Sequence, residues 1–130
     1  MTTLTGKSII GSTLSESKGG AFNAVDPSSG QKLEPDFYEA SDDEINRAIR
    51  LATTAYATYR RKSGREKADF LYAIGDEINA LGDELIRRAM QETGLPEARL
   101  TGERARTVNQ LKLFGSLLRE GSWVDARVDL

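Results

Sequence analysis

Cysteine and histidine are both missing from this 130-residue chain. Without thiols there is no disulfide, no thiolate nucleophile and no zinc site of the usual kind; without imidazole there is no Ser-His-Asp triad. Chemistry confined to these residues has to run on carboxylates, amines and hydroxyls. An excess of one charge is lacking too: 18 Lys and Arg stand against 20 Asp and Glu, a net charge of −2, where a dedicated nucleic-acid binder carries a basic surplus. No apolar run approaches the roughly 20 residues needed to cross a bilayer. Residues Met1 to Ile10, with one lysine, show neither the apolar core nor the cleavage pattern of a secretory signal. A cytoplasmic location is therefore expected, with no membrane and no nucleic-acid partner. What is present, 38% apolar and 29% charged residues, suits one globular domain able to bury roughly two-thirds of its unfolded surface.

The first forty residues read as short strands broken by glycine, serine and proline. Lys7-Ser8-Ile9-Ile10-Gly11 is a strand candidate, Gly11 to Gly20 a loop, and Ala21 to Val25 a second strand with Phe22 and Ala24 on one face. Asp26-Pro27-Ser28-Ser29-Gly30 is a turn, because Pro presets φ, Asp bonds its own backbone and Gly accepts positive φ. Gln31-Lys32-Leu33-Glu34 should return as the hairpin partner and stop near Pro35.

From Ser41 the period becomes helical. Ser41-Asp42-Asp43-Glu44 fits a capping box, and Ile45, Ala48, Ile49, Ala52, Ala55, Tyr56 and Tyr59 recur at three and four. Arg60-Arg61-Lys62 closes that helix as a solvated basic turn. Ser63-Gly64-Arg65-Glu66 repeats the box and opens a second helix reaching Thr93-Gly94-Leu95-Pro96, with Ile74, Ile78, Leu81 and Leu85 expected to be buried against its neighbours. Pro96 is placed as the first residue of a third helix, striped by Ala105, Val108, Leu111, Phe114, Leu117 and Leu118, weakened by Gly102 and ended by Gly121. Val124, Ala126, Val128 and Leu130 then alternate with Asp125, Arg127 and Asp129, the pattern of a half-buried strand. The expected fold class is α+β: short hairpin strands in residues 1–40, three long helices in 41–121 and the start of a strand in 122–130.

Few motifs carry chemistry. Gly6-Lys7-Ser8 ends like a phosphate-binding loop, but the upstream glycine such a loop needs would fall at Met1 and no strand can precede it. Ser15-Glu16-Ser17-Lys18 has the Ser-x-x-Lys spacing of penicillin-recognising enzymes, yet it adjoins Gly19-Gly20 in a polar stretch and reads as a flexible linker. Glu34, Asp36 and Glu39 lack the spacing of a calcium loop and read as a solvated connector. No Gly-x-Gly-x-x-Gly occurs. From the residues alone, catalytic: none; cofactor-binding: none; metal: none.

Several segments, in order, resemble the N-terminal part of the aldehyde dehydrogenase superfamily. They are Val25-Asp26-Pro27-Ser28-Ser29-Gly30, Ala40-Ser41-Asp42-Asp43-Glu44-Ile45-Asn46-Arg47-Ala48, and Glu92-Thr93-Gly94-Leu95-Pro96-Glu97-Ala98, where Leu95 replaces a frequent lysine. Together with Gly121-Ser122-Trp123-Val124-Asp125-Ala126-Arg127, the last of these is most similar to the α-ketoglutarate semialdehyde (2,5-dioxopentanoate) dehydrogenases. The resemblance implies a fragment of a longer α/β enzyme in which a cysteine thiolate attacks the aldehyde, hydride passes to NAD or NADP, and a glutamate-activated water releases the acid. It places residues 41–121 in the helical part of the cofactor-binding domain and residues 122–130 at the approach to an oligomerisation region, so a homo-oligomer is expected. The groups that react and the strands that hold the cofactor come later in such a chain, so no catalytic or cofactor residue carries over and no cofactor is expected on these residues. The resemblance also implies a structural monovalent cation near the Ala24 and Val25 carbonyls and Glu92; an ordinary exposed or salt-bridged Glu92 is the preferred reading. The rival to an enzyme fragment is a stand-alone helical module that docks a partner protein through its apolar stripes.

Overall fold

A computed structural model describes residues 4–16 and 19–124. The chain divides into two compact units, one of Met1–Arg61 with Gln91–Gly94, the other of Lys62–Met90 with Leu95–Leu130. In chain order the described elements are β1 (Ile9–Ile10), β2 (Thr13–Leu14), β3 (Ala21–Val25), β4 (Lys32–Tyr38), α1 (Asp42–Tyr59), α2 (Gly64–Ala80), α3 (Gly82–Thr93), α4 (Glu97–Glu120) and a short 3-10 turn over Ser122–Val124.

The first unit is built from two antiparallel hairpins and α1. The strand expected at Ile9-Ile10 pairs with β2, Ile9 opposite Leu14 and Ile10 opposite Thr13, so the stretch Gly11 to Gly20 is not all loop. Ser15 extends this ladder by donating its N–H to the Ser8 carbonyl at 2.8 Å. In the second hairpin Ala21 faces Tyr38 and Val25 faces Lys32, and the Phe22 and Phe37 rings stack at 5.8 Å. Here β4 does not stop at Pro35 but runs on to Tyr38. Between the Phe22–Phe37 and Ala24–Leu33 pairs the register shifts. Glu34, Pro35 and Asp36 therefore bulge opposite Asn23, so the missing N–H of Pro35 falls where the ladder is already interrupted. Asn23 closes the bulge through its Nδ2, which donates to Asp36 Oδ1 at 2.6 Å.

Helix α1 begins as its capping box dictates. The Ser41 hydroxyl accepts from the Glu44 N–H, and the Glu44 carboxylate accepts from the Ser41 N–H at 3.0 Å. Its basic cluster falls just past the last turn, with Arg60 as the C-cap. None of its residues is buried, and Ile45, Ile49, Tyr56 and Tyr59 stay exposed along the stripe.

In the second unit α2 packs on α4 along a seam of small residues. Ala68 and Gly75 on α2, and Val108 and Gly115 on α4, are the buried positions of the pair. The backbones come so close that a Cβ on Gly64 would stand 2.3 Å from the Leu118 carbonyl oxygen. Pro96 is the N-cap of α4 rather than its first helical residue, and Gly121 ends the helix with φ of +84°.

Among the described residues, four α-helices replace the expected three. The long second helix breaks after Leu81, where Gly82 takes φ of +57°, a left-handed conformation open to glycine at little cost. The Arg104 guanidinium donates to the Gly82 carbonyl at 2.8 Å and fixes the corner. The apolar period does not carry through such a break. Leu81 is thus 42% exposed rather than buried, Ile74, Ile78 and Leu85 are half-buried, and Ile86 is the buried side chain of α3. The C-terminal strand is also absent from the described residues: Ser122–Val124 forms the 3-10 turn, and residues 125–130 lie outside them.

Candidate functional site

The best-ordered candidate lies in the first unit, at the turn joining β3 and β4. The Asp26 carboxylate accepts from the Ser28 N–H at 2.8 Å and from the Ser28 hydroxyl at 2.6 Å. These bonds, the hydroxyl's first, hold its pKa below the usual carboxylate value. The Gly30 N–H closes the turn on the Asp26 carbonyl at 2.8 Å. Against this turn sits the end of α3. Gly94, at φ of +69°, lies so near that a Cβ there would stand 3.0 Å from Pro27 Cγ. Two of the segments that carry the family resemblance, Val25 to Gly30 and Glu92 to Pro96, thus meet at Pro27 and Gly94. The reason is steric: a left-handed glycine both ends the helix and lets the turn approach. Glu92, on the last turn of α3, is exposed. Among the described residues no group of three acidic side chains gathers as a metal site.

The other sequence motifs have structural fates. A Cβ on Gly6 would overlap the Asp36 carbonyl oxygen, and the Gly6 carbonyl accepts from the Tyr38 N–H at 3.1 Å. Gly6-Lys7-Ser8 is therefore a packing contact on β4, with no helix opening behind it. Ser15 is buried, and its hydroxyl donates to Glu44 Oε1 at 2.5 Å. That overturns the flexible-linker reading at Ser15, while Ser17 and Lys18 lie outside the described residues. Glu34 and Asp36 belong to β4 rather than to a connector.

Sequence reading missed a polar cluster on the second unit. Arg119 of α4 is ion-paired with Asp69 of α2, and its guanidinium stacks over the Tyr72 ring at 4.8 Å. The Tyr72 hydroxyl lies 3.1 Å from Ser116 Oγ. With Arg65, Asp69 and Arg119 line a cleft of about 350 Å³. The cluster is half exposed, pairs most of its own charge and works as a clasp between two helices.

Both described sheets are two-stranded and antiparallel, and among the described residues no parallel β–α–β unit is formed.

Comparison with known proteins gives this geometry its context. The chain is 46% identical over 127 residues, 97% of its length, to an alpha-ketoglutaric semialdehyde dehydrogenase 2 of Azospirillum brasilense, and covers 24% of that protein. It is 43% identical over 93 residues, 72% of its length, to an alpha-ketoglutaric semialdehyde dehydrogenase of Acinetobacter baylyi, covering 18% of it. A more distant relative, a 2-hydroxymuconic semialdehyde dehydrogenase of a Pseudomonas species, is 27% identical over 85% of the chain, which covers 23% of that protein. The chain spans about a quarter or less of the length of each of these relatives. Residues 14–126 match the sequence profile of the aldehyde dehydrogenase family, and with the resembling segments in contact at Pro27 and Gly94, the chain belongs to that family.

Proposed function

We propose that these residues are the N-terminal part of an NAD- or NADP-dependent aldehyde dehydrogenase that oxidises α-ketoglutarate semialdehyde to the acid. The observation that carries this reading is the 46% identity to an alpha-ketoglutaric semialdehyde dehydrogenase along 97% of the chain. The part played here is scaffolding. Residues 1–40 supply hairpin strands, residues 41–121 supply helices to the cofactor-binding domain, and residues 122–130 lead toward the oligomerisation region. The chain has no cysteine, so the family's thiolate belongs to another part of the enzyme, and the reading assigns no catalytic, cofactor-binding or metal-ligating residue to this segment. A cytoplasmic homo-oligomer is part of the same reading; among the described residues no helix is long and apolar enough to cross a membrane.

The protein purified intact from its source decides the matter. Its mass is compared with 14.3 kDa, and its oxidation of α-ketoglutarate semialdehyde is followed with NAD+ and with NADP+. The expected result is a heavier, active enzyme, and no heat of binding when either dinucleotide is titrated into the 130-residue chain alone. An intact product of 14.3 kDa, inert toward the semialdehyde, would replace this reading with the helical docking module, to which the exposed stripe of α1 is suited.

A further inference from the structure

Helix α4 does not meet α2 with its most apolar side. Leu113, Phe114 and Leu117 stay 61%, 50% and 41% exposed, and Trp123 and Val124 past the helix end are exposed as well. The line of α4 that meets α2 and the corner after it is Arg104, Val108, Lys112, Gly115 and Arg119, spaced at three and four and so on one face. Val108 and Gly115 are its buried positions. Each of the three cations has a partner. Arg104 donates to the Gly82 carbonyl at 2.8 Å, Lys112 Nζ stands 3.3 Å from Asp76 Oδ1, and Arg119 is paired with Asp69. On α2 the two carboxylates are seven residues apart, and each directly follows a buried small residue, Ala68 or Gly75. On α4 their partners are also seven apart, each four residues past a buried position. The two helices therefore carry matching repeats of seven that run in opposite directions.

We infer that these pairs form a register lock, in which charge rather than apolar burial selects the one alignment of α4 on α2. Ion pairs as exposed as these add little to stability; they act by penalising the alternatives. A slip of four residues, about one turn, sets Asp69 and Asp76 against Gly115 and Val108, the buried positions, and brings Arg119 opposite Arg65. A carboxylate pressed onto that seam has neither partner nor full access to water. The same slip in the other direction faces Lys112 and Arg119 with Ala80 and Ala73, which offer no carboxylate. A slip of seven is barred by shape instead. It takes the Tyr72 ring off Gly115, where even a Cβ would stand 2.8 Å from it, and onto Val108 or past the end of α4. Charge thus excludes the one-turn errors and the glycine excludes the two-turn errors.

Nuclear magnetic resonance on the full 130-residue chain tests this, because the close approach of Gly115 to Tyr72 reports the register directly. The parent chain should show a nuclear Overhauser cross-peak between the Gly115 Hα protons and the Tyr72 ring. Lys112→Glu combined with Arg119→Glu should lose that cross-peak while circular dichroism still reports helix. Adding Asp69→Lys and Asp76→Lys reverses every pair, returns the net charge to the parent's −2 and should bring the cross-peak back. A cross-peak that survives in the two-residue variant would overturn the inference, since the register would then stand against like charges. Its absence from the four-residue variant would overturn it as well. Should the two-residue variant fail to fold, the four-residue variant still decides: recovery of fold and cross-peak upholds the lock, and no recovery overturns it.

Discussion

Glu66 carries the charge on which the entry to α2 depends. Lys62 Nζ donates to its carboxylate at 2.7 Å and the Ser63 N–H at 2.8 Å. These bonds, Lys62's foremost, lower its pKa from 4.5 to about 2. A carboxylate depressed in the folded state contributes stability above its unfolded pKa and loses it as the pH falls through the folded one. The window here runs from about 4.5 down to about 2. Because the pair is exposed the contribution is small and screened by salt. Glu66→Gln should therefore lower the urea midpoint at neutral pH and low salt, and its gap to the parent chain should close as the pH approaches 2. A gap that stays constant across that window would show that the charge is irrelevant. The box itself was legible because Ser63 and Glu66 lie three residues apart. The Arg119–Asp69 pair spans fifty residues, and no local pattern announces a partner that far away.

Between helices, glycine decides opposite outcomes at two positions of α4. A Cβ on Gly115 would meet the Tyr72 ring at 2.8 Å, whereas one on Gly102 would meet nothing within 4 Å. Gly115→Ala should cost about 1–3 kcal/mol by overpacking, while Gly102→Ala should gain about 0.5–1 kcal/mol through helix propensity. Urea melts of the two variants should shift in opposite directions; shifts of the same sign would refute the seam. A second contrast belongs to α3 and the corner before it. Ile86 is 5% exposed and Leu81 is 42% exposed, so Ile86→Ala should cost about 2–5 kcal/mol and Leu81→Ala under about 1 kcal/mol. Comparable losses would mean that the stripe runs unbroken through Gly82. Most of these elements could be read ahead of the structure, since caps, turn residues and apolar period are all local signals. The corner at Gly82 could not, because a glycine inside a helical pattern is usually tolerated and the Arg104 contact that fixes it comes from α4. Pro35 misled for a related reason. It forbids an unbroken ladder but not a bulge, and the bulge is set by Asn23 and Asp36 across the hairpin.

For the molecule as a whole, the apolar surface left open on α1 and α4 predicts that the isolated chain self-associates at high concentration, since contiguous exposed apolar patches seek cover. Light scattering should report species heavier than 14.3 kDa. Ending the chain at Gly121 removes Trp123 and Val124 and should weaken the association without abolishing it, because Leu113 and Phe114 remain. A strictly monomeric chain would refute this. The candidate site was legible only as scattered segments: the sequence pattern named the hairpin turn and the helix end, but not that they touch.

That contact at Pro27 and Gly94 has a consequence for how the molecule is made. Residues 91–94 belong to the first unit although residues 62–90 belong to the second. On a ribosome the hairpin turn emerges early yet cannot acquire its last contact until α2 and α3 have left the exit tunnel. The first unit therefore matures only after the segment of the second unit that interrupts it has been made, after a wait set by translation speed rather than by its own folding rate. Slow codons placed a full tunnel length downstream of Gly94 should raise the yield of correctly folded protein more than slow codons placed the same distance downstream of Arg61.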